Sequence, residues 1–213
     1  MTKYIYAFGS ICRGEIDKFS DVDLLMIVDD LSHAKELHNF SYYQEDTLKR
    51  LWKEGNPFAW HLYSESKLIY SYDNIDFIQS LNKPALYKDA KKDITYLFEI
   101  FLSAKESLLN NSKSTVYDLS VVFLVIRNIA TCFELGVNRK MIFTRNSPLF
   151  LTHPKLNISK VVFNVLSTCR IISTRGIGKK PTNDEISESI LSLEEIENWI
   201  NSIQNQIKEY ESV

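Results

Sequence analysis

The sequence predicts an α+β fold, in which a mixed β-sheet with flanking helices is followed by a C-terminal helical bundle. Two observations support this. Short aromatic and β-branched segments, which are typical of strands, occur before about residue 74. After residue 84, apolar residues recur at helical spacing. We therefore expect two domains, residues 1–83 and residues 84–213, which meet near Asn82-Lys83-Pro84.

The first two predicted elements are strands joined by a polar loop. Residues 4–8 are mostly aromatic or β-branched and end at Gly9. Residues 21–28 contain an apolar run that indicates a second, largely buried strand.

The rest of the N-terminal domain is predicted to add one helix and two strand segments. Residues 32–54 favour a helix, which Gly55-Asn56-Pro57 would end. Residues 58–63 and 68–70 favour strands because they are rich in aromatic and aliphatic side chains. The expected order is therefore β-loop-β-α-β.

The C-terminal domain is predicted to be entirely helical. Its apolar side chains follow the helical period in three stretches, residues 89–109, 115–135 and 158–172. The second stretch is apolar on nearly every side, which is typical of a central helix. Ser192 and Glu195 have the spacing of a capping box and predict the start of a fourth helix.

Composition and charge exclude several classes of protein. The chain has 213 residues and a formal net charge of -2, so its overall charge does not indicate nucleic-acid binding. Cys12, Cys132 and Cys169 are scattered and odd in number, which argues against a disulfide framework or a zinc site. No secretion signal and no long apolar run are evident. We expect a cytoplasmic protein without a membrane partner.

The residues with the clearest chemical meaning lie around the first loop. Gly9 permits close approach of a phosphate group to the backbone, and the Ser10 hydroxyl is suited to binding phosphate oxygens. Asp21 and Asp23 are two residues apart, so on a strand their carboxylates would point to the same face. Two such carboxylates repel each other unless a divalent cation lies between them. Val22 and Leu24 are expected to point the other way, into the core.

This pattern resembles the signature of the DNA polymerase beta-like nucleotidyltransferase superfamily. Phe8 precedes Gly9-Ser10, ten residues follow, and Asp21-Val22-Asp23 then opens a hydrophobic strand. Arg13-Gly14-Glu15 is similar to the minimal nucleotidyltransferases, and the antibiotic nucleotidyltransferases share the same core. The resemblance implies a nucleotidyltransferase-type sheet, Mg²⁺ bound by Asp21 and Asp23, and an NTP co-substrate bound by Gly9, Ser10 and Arg13.

The resemblance also implies a third carboxylate on a later strand, which completes the metal site and assists the attacking hydroxyl. The strand predicted at residues 58–63 has no Asp at its centre. Glu65 is the first candidate for this carboxylate. The alternative is that Glu65 is only a solvated turn residue. His61 is the second candidate, acting as a neutral base or replacing the carboxylate. Its alternative is a hydrogen-bonded core histidine.

The helical domain contains one charged residue in an apolar stretch, Arg127. A buried guanidinium must be paired. It either pairs with a structural carboxylate or reaches the cleft and binds a phosphate or an acidic group of the substrate. Arg127-Asn128 resembles part of the motif of HEPN domains, the helical partners of many minimal nucleotidyltransferases. No His follows within residues 129–133, so ribonuclease activity is not expected.

The expected function is transfer of a nucleoside monophosphate from an NTP to a hydroxyl group, with release of pyrophosphate. The acceptor could be a small molecule, a protein side chain or an RNA end. A homodimer is possible. One alternative is a catalytically inactive module of the same fold that binds a nucleotide or a partner, such as an antitoxin or defence component. Another is a helical interaction protein whose α/β domain is only a scaffold.

Overall fold

The computed structural model of the chain describes residues 2–15, 22–31 and 40–211. It forms two compact units, residues 1–88 and residues 89–213. Unit 1 contains a sheet and short helices, in the order β1 (Thr2–Phe8), α1 (Ser10–Arg13), β2 (Asp23–Val28), β3 (Phe40–Tyr43), α2 (Glu45–Glu54), α3 (Pro57–Glu65), β4 (Ser66–Ser71) and α4 (Phe77–Ser80). Unit 2 is helical, with α5 (Ala90–Leu109), α6 (Thr115–Gly136), α7 (Ser147–Phe150), α8 (Lys160–Arg175), α9 (Asn183–Leu191) and α10 (Leu193–Glu211). The predicted α+β class is confirmed.

The sheet of unit 1 is mixed, with strand order β3-β2-β1-β4. β1 pairs antiparallel with both β2 and β4, whereas β3 lies parallel to β2. Phe8, the last residue of β1, is opposite Asp23 on one side and Ser66 on the other. The end of β1 therefore lies between the start of β2 and the start of β4.

One face of the sheet carries the core of unit 1. Alternate residues of β1 and β2 pack against α2 and α3, and the buried cluster is made of Tyr4, Tyr6, Phe8, Leu25, Ile27, Leu48, Trp52, Ala59, Leu62, Phe77 and Ile78. Asp23 belongs to the same alternating row as Leu25 and Ile27. The expectation that Val22 points into the core is wrong, since Val22 is 48% exposed.

Residues 58–63, which were predicted as a strand, lie instead in helix α3. Asn56 caps this helix, because its side chain accepts a hydrogen bond of 2.9 Å from the Phe58 N–H, and Pro57 occupies the first turn. Asn followed by Pro is a signal for a helix start, which outweighs the strand preference of the aromatic residues that follow. The predicted strand at residues 68–70 is confirmed as part of β4.

The helix predicted over residues 32–54 is wrong in its first half. Phe40–Tyr43 forms β3, and only Glu45–Glu54 is helical; residues 32–39 lie outside the described residues. Two tyrosines and a phenylalanine in four residues fit a strand paired to buried β2. The helix ends as predicted at Gly55, where φ is 67°. A Cβ there would lie 2.4 Å from the Ala85 carbonyl oxygen, so only glycine fits.

The segment after α4 is bonded back to α2 and α3. The Trp52 indole N–H donates to the Asn82 carbonyl at 2.9 Å, and the Trp60 indole N–H donates to the Ala85 carbonyl at 3.0 Å. The Ala85 N–H also donates to the Trp52 carbonyl at 2.9 Å. These bonds place residues 82–85 in unit 1, and the units divide after Lys88.

Unit 2 is built around α6, which packs against α5 on one side and α8 on another. Among the described residues, α6 is the one helix whose length and composition would allow it to cross a membrane, and 78% of its most apolar stretch is buried. Such burial is typical of the central helix of a bundle. The capping box in this unit is formed by Thr182 and Glu185. The Ser192 hydroxyl instead donates to the Glu188 carbonyl, 3.0 Å away.

The Tyr6 hydroxyl joins β1 to α4 and gives a test of this fold. It donates to Asp76 at 2.9 Å and accepts the Ile78 N–H at 3.0 Å, and burial raises its pKa. We predict that Tyr6→Phe lowers the free energy of unfolding by about 1–3 kcal/mol, because the buried Ile78 N–H loses its acceptor. Urea denaturation monitored by circular dichroism would measure the loss.

Tyr4→Phe is the matched control for that substitution. The Tyr4 hydroxyl donates to Asp73 at 3.0 Å, and Asp73 still accepts from the Ser71 hydroxyl and the Ile75 N–H without it. Its loss should be about 0.5–1.5 kcal/mol, since no buried donor is left unsatisfied. Equal losses in the two variants would contradict the role given to the Ile78 N–H.

Candidate active site

The turn after β1 has a backbone conformation that favours glycine. Gly9 has φ 75° and ψ −142°, a region that other residues rarely adopt. The turn is closed by hydrogen bonds from the Cys12 N–H to the Gly9 carbonyl and from the Glu15 N–H to the Ser10 carbonyl, both 3.0 Å long. Ser10 is therefore held directly beyond the end of β1, as the first residue of α1.

The Asp23 carboxylate lies against Gly9. A Cβ placed on Gly9 would be 2.6 Å from the Asp23 Oδ2 atom, closer than a real Cβ can approach. The register of the sheet causes this contact, because Asp23 is directly opposite Phe8, the residue before Gly9. The predicted partner Asp21 lies outside the described residues, so its position stays a prediction.

Glu65 and His61 lie together at the C-terminal end of α3. The His61 Nε2 atom is 2.9 Å from the Glu65 Oε2 atom, and both side chains are mostly shielded from solvent, at 14% and 11% exposure. The His61 ring also packs edge-on against Phe8, with centroids 5.6 Å apart. A helix brings residues four apart into contact, whereas a strand would separate them by about 13 Å.

Arg13 connects the turn to Glu65. Its Nη1 atom is bonded to the Glu65 Oε2 atom, while its Nε and Nη2 atoms each lie 3.0 Å from the Glu15 Oε2 atom. Glu15 is a site residue to which the sequence assigned no role. The sequence signal for this pairing was the position of Glu15 two residues after Arg13. That signal is weak, because opposite charges this close in sequence are common in loops.

The described carboxylates flank the end of β1 on two sides. Asp23 begins β2 and Glu65 directly precedes β4, and both strands pair with β1 at Phe8. Two strand spacings separate the backbones of Asp23 and Ser66, which is about 10 Å.

A hard divalent cation fits only part of this arrangement. Asp23 offers the carboxylate oxygens that Mg²⁺ prefers, beside a backbone that leaves room for phosphate. Among residues 2–15, 22–31 and 40–211, no three His, Cys, Asp or Glu residues lie close enough to hold a metal ion. A complete site would therefore need Asp21 as a second ligand.

Two further polar residues have local structural contacts. The Cys12 thiol donates to the Ala7 carbonyl at 3.4 Å, and burial raises the pKa of this thiol, which makes it a poor nucleophile. In unit 2, the Arg127 Nη2 atom donates to the Phe143 carbonyl at 3.1 Å. The predicted role of Arg127 in binding phosphate or substrate stays a prediction.

Residues 2–75 match the family model described as "Polymerase beta, Nucleotidyltransferase". This range contains all four strands of the sheet, the glycine turn and the described carboxylates around it. Unit 1 contains a polymerase beta-type nucleotidyltransferase domain. The predicted recognition is confirmed for this domain.

Six solved chains match this chain. One is the crystal structure of spectinomycin adenyltransferase AAD(9) from Enterococcus faecialis with ATP and spectinomycin. It is 13% identical in sequence, has a TM-score of 0.48, and the alignment covers 94% of this chain and 92% of that chain. ATP and spectinomycin are ligands of that enzyme. No curated protein matches this chain.

The contact between Gly9 and Asp23 in the nucleotidyltransferase domain predicts what the added methyl group of Gly9→Ala would do. We expect Gly9→Ala to lose about 1–3 kcal/mol of the free energy of unfolding through backbone strain, and to displace the Asp23 carboxylate. Displacement of that carboxylate should weaken binding of Mg²⁺ with a non-hydrolysable ATP analogue. Chemical denaturation and calorimetry would measure the two effects.

Gly176→Ala is the matched control, because Gly176 has a φ of 68° with nothing within 4 Å of an added Cβ. It should lose about 1–2 kcal/mol through backbone strain and bind the Mg²⁺ nucleotide normally. If both variants bound the nucleotide as the wild type does, the Asp23 carboxylate would not matter for binding.

Proposed function

We propose that the protein is a Mg²⁺-dependent nucleotidyltransferase that transfers a nucleoside monophosphate from an NTP to a hydroxyl group. The observation that carries the proposal is the Asp23 carboxylate, held against Gly9 at the end of β1 in a nucleotidyltransferase domain. A carboxylate beside a glycine turn provides a metal ligand and a phosphate-binding backbone at one place.

Asp21 and Asp23 are the residues proposed to hold the metal ion. Asp23 begins β2, and an extended chain before it would direct the Asp21 carboxylate to the same face. An ion held there would neutralise charge on the triphosphate and make the α-phosphorus easier to attack. The fit of Asp23 supports this assignment, and the assignment of Asp21 is the part that a structure with bound metal would test.

Gly9, Ser10 and Arg13 are the residues proposed to bind the triphosphate. Gly9 has no side chain to block the backbone, and Ser10 follows it directly with a hydroxyl donor. Arg13 is three residues further along α1, and its planar guanidinium matches the geometry of phosphate oxygens. These groups orient the leaving pyrophosphate away from the acceptor.

Glu65, with His61 beside it, is proposed to receive the proton of the acceptor. As the acceptor oxygen forms a bond to the α-phosphorus, the α–β phosphoanhydride bond breaks and pyrophosphate leaves. The hydroxyl proton passes to the Glu65 carboxylate or to His61, which is 2.9 Å from it. The position of Glu65 next to β4, across β1 from Asp23, supports this role.

The acceptor is proposed to be one of three hydroxyl-bearing classes, namely a small molecule, a protein side chain or an RNA end. We further propose that unit 2 selects it, with Arg127 as a candidate contact for an acidic group. Parallel labelling reactions with the three classes would identify the acceptor.

A second candidate function is that of a module that binds a nucleotide without catalysing its transfer. One observation favours it, namely that the Glu65 carboxylate is bonded to Arg13 in this conformation. Calorimetry and a pyrophosphate assay would separate the two functions. Tight binding of Mg²⁺-NTP without pyrophosphate release, in the presence of all three acceptor classes, would favour the module.

The proposal predicts that Asp23→Asn lowers the rate of labelling by about 100-fold or more, because one metal-binding charge worth several kcal/mol is lost. ATP labelled at the α-phosphate should label the acceptor, whereas ATP labelled at the γ-phosphate should not. Circular dichroism would confirm that the variant is folded.

Asp46→Asn is the matched control, because this substitution removes the same charge from a side chain that is 98% exposed on α2. It should label at the wild-type rate. An Asp23→Asn variant as fast as Asp46→Asn, or transfer of label from the γ-phosphate, would refute the proposed function.

A further inference from the structure

Arg13 is shared between two carboxylates in the proposed phosphate-binding region. A guanidinium has five N–H groups. Its Nε and Nη2 atoms lie 3.0 Å from Glu15, and its Nη1 atom is bonded to Glu65. Three of its donors are therefore directed to protein carboxylates rather than to a ligand.

The two carboxylates differ in exposure. Arg13 and Glu65 are 19% and 11% exposed, so their contact is largely shielded from solvent. Glu15 is 46% exposed, so its contact is the weaker one because water screens it. One positive and two negative charges leave this trio at -1.

We propose that Glu15 and Glu65 compete with the nucleotide for Arg13, so that Arg13 acts as a latch that nucleotide binding opens. The inference rests on the proposed function, since it takes Arg13 as a triphosphate ligand. In the closed state, the guanidinium is bonded to Glu15 and Glu65. In the open state, phosphate oxygens replace those carboxylates around the guanidinium.

The same exchange changes the state of Glu65. Its Oε2 atom contacts both Arg13 and His61 in the closed state. When the guanidinium moves to the phosphates, Glu65 keeps His61 beside it and its Oε2 atom is no longer bonded to Arg13. Its carboxylate can then accept the proton of the acceptor. Nucleotide binding and activation of Glu65 are thereby coupled, which limits proton abstraction to the loaded enzyme.

The test measures the affinity of the full chain for Mg²⁺ with α,β-methylene ATP by calorimetry. Glu15→Gln removes the exposed competitor and keeps the size of the side chain. We expect about two- to fivefold tighter binding, in the range that an ion pair of this exposure provides. Arg13→Gln should bind more weakly than the wild type, because it removes a phosphate ligand.

Two controls separate release of Arg13 from a general change of charge. Glu54→Gln removes the carboxylate partner of Arg50, 3.2 Å away on the exposed face of α2, and should leave the affinity unchanged. The double variant Arg13→Gln with Glu15→Gln should bind no more tightly than Arg13→Gln alone. Direct repulsion of phosphate by Glu15 predicts instead that the gain persists without Arg13.

The outcomes separate failure of the latch from failure of the proposed function. Tighter binding in Glu15→Gln that depends on Arg13 supports the latch, and so does binding that appears only in Glu15→Gln. Wild-type binding that is unchanged in Glu15→Gln, or a gain that persists without Arg13, overturns the latch and leaves the proposed function in place. No binding by the wild type or by Glu15→Gln overturns the proposed function and the latch together.

Discussion

The double pairing of Phe8 is the constraint on which the candidate site depends. Phe8 is opposite Asp23 on β2 and Ser66 on β4, so it fixes the start of both neighbouring strands beside the end of β1. A slip of one residue in either pairing would turn the affected side chains to the other face of the sheet. The aromatic core holds this register, because Phe8 is 7% exposed and packs edge-on against Phe58 and His61.

The parts of the fold that follow from local pattern could be predicted from the sequence. β1, β2 and the long helices of unit 2 each have a hydrophobic period that a single segment reveals. β3 could not be predicted in this way, because its four residues become a strand only by pairing with β2. The aromatic residues of α3 favoured a strand, and the Asn56 cap and Pro57 decided for a helix.

The candidate site was predictable to the extent that its geometry comes from short spacing. The proximity of Gly9 and Asp23 is a consequence of a hairpin-like pair of strands, which the motif already contains. The bond between Arg13 and Glu65 joins residues 52 positions apart, and no local pattern encodes it. His61 and Glu65 were both candidates for the third site residue, which was expected on a strand. They lie instead in helix α3, and one turn of that helix brings them within 2.9 Å of each other.

The balance of charge around the end of β1 bears on the form in which the proposed nucleotide would bind. Around this point, Glu15 and Glu65 are bonded to Arg13, and the Asp23 carboxylate lies against Gly9. These three described carboxylates and the one guanidinium together carry a charge of -2. A triphosphate alone would meet strong repulsion there, even with the guanidinium redirected toward it. A divalent cation reverses that balance, so a region this acidic favours a metal-nucleotide complex over the nucleotide by itself.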